Sequence, residues 1–147
     1  MRPAGMLGCF VGGVSFVAVT LMAVASSQAD GTRSVLQGAF TKAQAERGKA
    51  QYFAACASCH GVAMQGDGDI PELVGKSFLK RWGDQPVSAL FSFAITQMPI
   101  GRPGSLGVQG YVDVIAHILS MNGFPEGKHE LPPGGAALDE IILEGKR

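Results

Sequence analysis

Val108, Tyr111, Val112, Ile115, Ile118 and Leu119 recur at intervals of three and four, the stripe of a helix with one buried face. The spacing predicts a helix from about Val108 to Met121, stopped by Asn122 and Gly123, where glycine accepts the left-handed conformation that ends a helix. Thr41-Lys42-Ala43-Gln44 has the form of a capping box. It opens a second helix from about Lys42 to Cys56, with Ala45, Gly48 and Tyr52 on one face. A shorter helical stretch is expected from Gly75 to Trp82. Asp84 and Pro86 read as a helix start that the apolar run Val87 to Ile95 continues. Met98-Pro99 ends that helix, because a residue before proline avoids the helical region. Glycines and acids from Gly61 to Asp69 make one loop, and Gly101 to Gly107 make another. No convincing alternating strand is visible, so the expected fold class is all-α.

The two ends differ from this middle. Residues 1–29 carry one charge, Arg2, then an apolar run from Ala4 to Ala25 and a small-residue cleavage site at Ser27-Gln28-Ala29. These are the parts of a secretory signal peptide, although the apolar run is also long enough to act as an uncleaved membrane anchor. Residues 30–40 are rich in Gly, Ser and Thr without period and read as a flexible leader. Residues 41–125 hold the helices and form the expected domain. Residues 126–147 are a Pro/Gly-rich tail with a short apolar segment at Leu138, Ile141, Ile142 and Leu143, which packs on its own domain or docks on a partner.

Cleavage after Ala29 removes one of the twelve basic residues and none of the twelve acidic ones, so the mature chain is close to neutral. Nothing in that balance points to nucleic acid or an anionic membrane surface as partner. About 118 residues bury only a modest core on their own. Of the three cysteines only Cys56 and Cys59 remain in the mature chain. They do not build a disulfide scaffold, because both thiols have another use.

That use is written in Cys56-Ala57-Ser58-Cys59-His60, a C-x-x-C-H sequence. Two thiols about one helical turn apart reach the two vinyl groups of one haem, and the next histidine sits beneath the iron. The competing reading is a zinc half-site or a redox pair. Zinc wants two further thiol or imidazole ligands at similar spacing, and His117 and His129 do not form such a pair. A haem then needs a sixth ligand from Met64, Met98, Met121, His117 or His129. Met64 lies four residues from His60, on the same side of the haem, and Met121 ends a helix whose packing face is already used. Met98 comes after a helix and precedes a glycine-rich loop able to wrap the opposite face and present a thioether.

Over about Ala43 to Gly123 the chain resembles a class I monohaem cytochrome c. Gly48, Tyr52, Cys56, Cys59 and His60 match the first helix and its haem motif, Met98-Pro99 matches the distal ligand, and Asp113 to Ile118 matches the last helix. The resemblance implies that Gly48 lets the last helix cross closely and that Tyr52 packs at the crossing. It also implies that the Pro71 carbonyl holds the second ring nitrogen of His60, which fixes the tautomer and raises basicity. Phe78 to Trp82, Met98 to Leu106 and Asn122 to Pro125 are similar to small cytochromes and cytochrome domains associated with bacterial quinoprotein alcohol dehydrogenases. Related cytochrome subunits occur in sulfur-compound oxidation.

His117 stands where the family places an aromatic residue, usually tyrosine, between the first and last helices. Helical spacing instead groups it with Gln109, Asp113 and Ser120, so a half-exposed His117 paired with Asp113 is the expectation. Trp82, Arg81 and Arg102 are candidate donors to a haem propionate, against readings as core filler and solvated charges. The resemblance thus implies one covalently bound haem c and single-electron transfer, with no catalysis and no small-molecule substrate. The implied partners are redox proteins in the periplasm: a dehydrogenase as donor and an oxidase or another cytochrome as acceptor. Membrane attachment arises only if the signal segment is uncleaved. Open alternatives are an obligate cytochrome subunit of a dehydrogenase and a haem sensor or peroxidase with an open distal site.

Overall fold

A computed structural model describes residues 32–145 and, of those before them, only Met1. Residues 2–29 of the signal peptide expected over residues 1–29 therefore lie outside the described residues. Helix α1 spans Lys42–Ala55, α2 Ala57–His60, α3 Gly75–Trp82, α4 Val87–Gln97, α5 Gly107–Met121 and α6 Ala136–Asp139. A 3-10 turn at Val35–Gln37 and three short strands, β1 Arg33–Ser34, β2 Gln85–Pro86 and β3 Ile141–Leu143, complete the elements among the described residues.

The principal contact is the crossing of α1 and α5. A Cβ built on Gly48 falls 1.7 Å from the Asp113 carbonyl oxygen, so only glycine lets the two backbones approach this closely. Tyr52 is fully buried at the same crossing, and its hydroxyl donates to the Gly61 carbonyl at 2.6 Å. Burial, and then the neighbouring Cys56, push that phenol up to about 12, so it stays a donor. Arg47 of α1 forks the Asp113 carboxylate through Nε at 3.0 Å and Nη2 at 3.1 Å, and reaches Glu130 at 2.9 and 2.7 Å. The Arg47 hydrogen bonds hold the Glu130 carboxyl below its ordinary 4.5.

His117 departs from the expectation. It is only 8 % exposed, and its ring meets that of Tyr52 edge to face with centroids 5.7 Å apart. Asp113, the partner expected for it, is held by Arg47 and by Gln109, whose Nε2 donates at 2.8 Å. A guanidinium that offers two parallel donors to a buried carboxylate outcompetes one imidazole nitrogen.

The capping box forms by half. Thr41 Oγ1 accepts from the Gln44 N–H at 3.1 Å. The Gln44 side chain, fully buried, turns instead to the tail, where it donates to the Leu131 carbonyl at 3.1 Å and accepts the Leu131 N–H at 2.7 Å. Asp84 does not cap α4 either. It adopts φ 61°, its N–H bonds the Leu143 carbonyl at 2.8 Å, and Pro86 occupies the cap position.

The leader expected to be flexible is built into the fold over its described part. Arg33–Ser34 pair in parallel with Ile141–Ile142, and Gln85–Pro86 pair antiparallel with the other edge of β3. This small sheet, ordered β1-β3-β2, is the exception to the all-α expectation. Val35 and Phe40 are fully buried, so the leader's few apolar residues outweigh its polar composition. The Gly127 N–H donates to the Phe40 carbonyl at 2.6 Å. The apolar segment of the tail packs on its own domain: Leu131, Leu138, Ile141 and Leu143 join one core with Val87 and Leu90 of α4. Helices with only this short sheet added agree with the architecture that the resemblance to class I cytochromes c implies.

Candidate functional site

The C-terminal end of α1 and the single turn α2 carry Cys56, Cys59 and His60 to one wall of a cavity of about 510 Å³. Cys56 caps the end of α1, and the N–H of His60 bonds back to the Cys56 carbonyl at 2.9 Å. Cys56 is half-buried and Cys59 exposed.

The tautomer of His60 is set by its surroundings. Nδ1 lies 3.0 Å from the Pro71 carbonyl oxygen. A carbonyl only accepts, so Nδ1 carries the proton and Nε2 keeps its lone pair for a metal. The segment bearing Pro71 is itself fastened. Leu73 N–H bonds the Met64 carbonyl at 2.9 Å. Asn122 at the end of α5 donates to the Leu73 carbonyl at 2.9 Å and accepts the Gly75 N–H at 2.9 Å. The sequence shows in Asn122 only a helix stop; nothing in its local pattern points to this role.

Met98 lines the same cavity at the end of α4, with an extended backbone (φ −124°, ψ 150°) as expected before proline. Met64, Met121, His117 and His129 do not line it. Met64 is fully buried elsewhere in the core and Met121 is 45 % exposed. The structure thus brings His60 and Met98 together and leaves the other candidates outside.

Trp82, 9 % exposed, lines the cavity and packs on Phe93 with centroids 5.5 Å apart. The Arg81 guanidinium lies 5.2 Å from the Trp82 ring and 4.8 Å from the Phe93 ring, a cation held over aromatic faces at the cavity rim. Arg102 also reaches the cavity, as do the carboxylates Asp69 and Glu72. Tyr111, which periodicity places only on the packing face of α5, lines the cavity and is 2 % exposed.

The residues present fit a haem. A pocket of this volume is of cofactor size. Its walls are mainly apolar side chains, and it joins two thiols, one imidazole and one thioether with two guanidinium groups near its edge. Zinc finds no support: among the described residues no group of three or more His, Cys, Asp or Glu side chains gathers as a metal site.

A family model described as "Cytochrome C oxidase, cbb3-type, subunit III" matches residues 43–118. No curated protein sequence matches significantly. Among solved structures, the chain is similar to one from the sulfane dehydrogenase SoxCD of Paracoccus pantotrophus, at 23 % identity and a TM-score of 0.50. The match covers 78 % of this chain and 60 % of that one, and at this identity the likeness concerns the fold.

Proposed function

Because the chain belongs to the cytochrome c family whose model is that of the cbb3-type oxidase subunit III, with covalently bound haem c and electron transfer as its work, we propose that it is a His/Met-ligated single-electron carrier. The carrying observation is that His60 and Met98 line one cavity from which Met64, Met121, His117 and His129 are absent. In this reading Cys56 and Cys59 form the thioethers, His60 Nε2 is the proximal ligand and the Met98 sulfur the distal one. The bound haem supplies a one-electron ferrous/ferric couple.

Each of the chain's own residues then has a task. The Pro71 carbonyl keeps His60 in one tautomer and raises its basicity. A thioether at Met98 favours the reduced state relative to a second nitrogen ligand. Trp82, Phe78 and Phe93 exclude water and lower the local dielectric. Arg81, Arg102 and Trp82 are the donors for the propionates.

The proposed setting is the periplasm, which rests on the signal-like residues 1–29. Among the described residues no helix is long and apolar enough to cross a membrane. The donor is a periplasmic dehydrogenase and the acceptor an oxidase or another cytochrome. The likeness to a chain of a sulfane dehydrogenase, with the resemblance to dehydrogenase-associated cytochromes, favours one second reading: a cytochrome subunit bound permanently to a dehydrogenase. Co-purification of the tagged protein separates the two, since a free carrier elutes alone. For the ligand assignment, the oxidised protein should show the weak far-red iron–sulfur absorption band. Met98→Ala should abolish it, while Met64→Ala and Met121→Ala retain it. Loss of the low-spin spectrum in His117→Ala instead would overturn the assignment.

A further inference from the structure

The backbone of Met98 is tied at both ends, and the two ties come from different helices. Its N–H donates to the Ala94 carbonyl at 3.0 Å, the last regular bond of α4. Its carbonyl falls among the C-terminal carbonyls that a helix leaves without an internal partner. The Tyr111 hydroxyl, arriving from α5, donates to that carbonyl at 2.5 Å. The residues after Met98 are weakly held by comparison. Pro99 has no N–H, Ile100 is 85 % exposed, and Gly101 to Ser105 are exposed as well.

We infer that Tyr111 is a positioning residue for the distal ligand: its hydroxyl holds the Met98 carbonyl and so fixes where the thioether stands in the cavity. The inference rests on Met98 being the sixth ligand. Tyr111 is well suited to the task because it is rigidly placed, 2 % exposed on a helix whose residues from Gly110 to Leu119 are all buried. The same helix grips the opposite wall through Asn122, whose amide holds Leu73 and Gly75 in the segment that carries Pro71. The two grips stand eleven residue steps apart, about 16 Å along the axis. One helix therefore sets the spacing between the proximal and distal segments.

The test uses the haem-loaded protein and imidazole as an external ligand that competes with Met98 for ferric iron. Tyr111→Phe removes one oxygen atom and leaves the ring in place. It should weaken or shift the far-red band and tighten imidazole binding about tenfold, equivalent to about 1.4 kcal/mol, the scale of one buried hydrogen bond. Val35→Ala, a loss of buried contact in the leader, serves as the stability control and should leave the imidazole affinity within about twofold of the parent. Tyr111→Phe indistinguishable from the parent in band and affinity overturns the inference. So does an equal change in both variants, which would trace the effect to general loosening. Met98→Ala in the same series keeps the two levels apart: a far-red band that survives it removes the ligand assignment rather than the role of Tyr111.

Discussion

His117 on the last helix packs the edge of its ring against Tyr52 on the first, with centroids 5.7 Å apart and planes at 63°. Burial, and then Lys49, lower its pKa below the ordinary 6.5. The folded protein thus favours the neutral ring, and the unfolded chain takes up the proton first as pH falls. The contribution is complete above 6.5 and is lost as pH drops below it toward the folded-state value. Denaturant midpoints should therefore decline between pH 7.5 and 5. His117→Phe, which keeps a ring at the crossing, should remove most of that decline. A decline of equal size in the variant would place its origin in other groups.

Gly48 is required for space rather than for backbone freedom. In Gly48→Ala the new methyl must displace the Asp113 carbonyl, 1.7 Å away. The helix-propensity gain of about 1 kcal/mol is too small to offset overpacking of about 3 kcal/mol or more. Chemical denaturation should show a net loss of at least about 2 kcal/mol.

Gln44 anchors the tail through both polar atoms of its amide. Gln44→Ala leaves the N–H and carbonyl of Leu131, itself 1 % exposed, without these partners. The expected cost is about 2 kcal/mol or more. Limited trypsin digestion should then cut faster at Lys128 than in the parent, while cleavage within α1 stays slow.

Replacing Cys56 and Cys59 together with serine should leave no haem on a denaturing gel stained for haem peroxidase activity. A stained band in the double variant would sink the covalent assignment to these two thiols.

Charges around the cavity are balanced, with Arg81 and Arg102 set against Asp69 and Glu72. Exposed apolar side chains stand near the two ligand segments, Val62 at 67 % and Ile100 at 85 % exposure. Met64, which the sequence places with Val62 beside the attachment site, is buried and contributes nothing to that surface. Electron exchange with the redox partner should change less than about threefold between roughly 0.01 and 0.5 M salt, although screening contracts from about 30 Å to a few ångströms. A fall of tenfold or more would mean that the charges act as one steering patch.

Features decided within one or two turns of chain were readable from the sequence. The haem motif, the bounds of α3, the extension of Met98 before proline and the stripe of α5 all depend on neighbours in the chain. Their causes are local: backbone sterics, the 3.6-residue period and the reach of one thiol pair. Choices between distant partners were settled only by the tertiary structure. Asp113 has His117 four residues away and Arg47 sixty-six residues away, and the distant fork holds it. Gln44 forsakes its own helix end for Leu131. Strands of two or three residues are too short to show alternation, so the β1-β3-β2 sheet exists only because the folded core brings its edges together. Tyr111 reads as one more apolar position in a stripe, and its hydroxyl acquires a task only when α5 lies beside the end of α4. Periodicity says which face of a helix is buried, but the polar atom that waits there is placed by the rest of the chain.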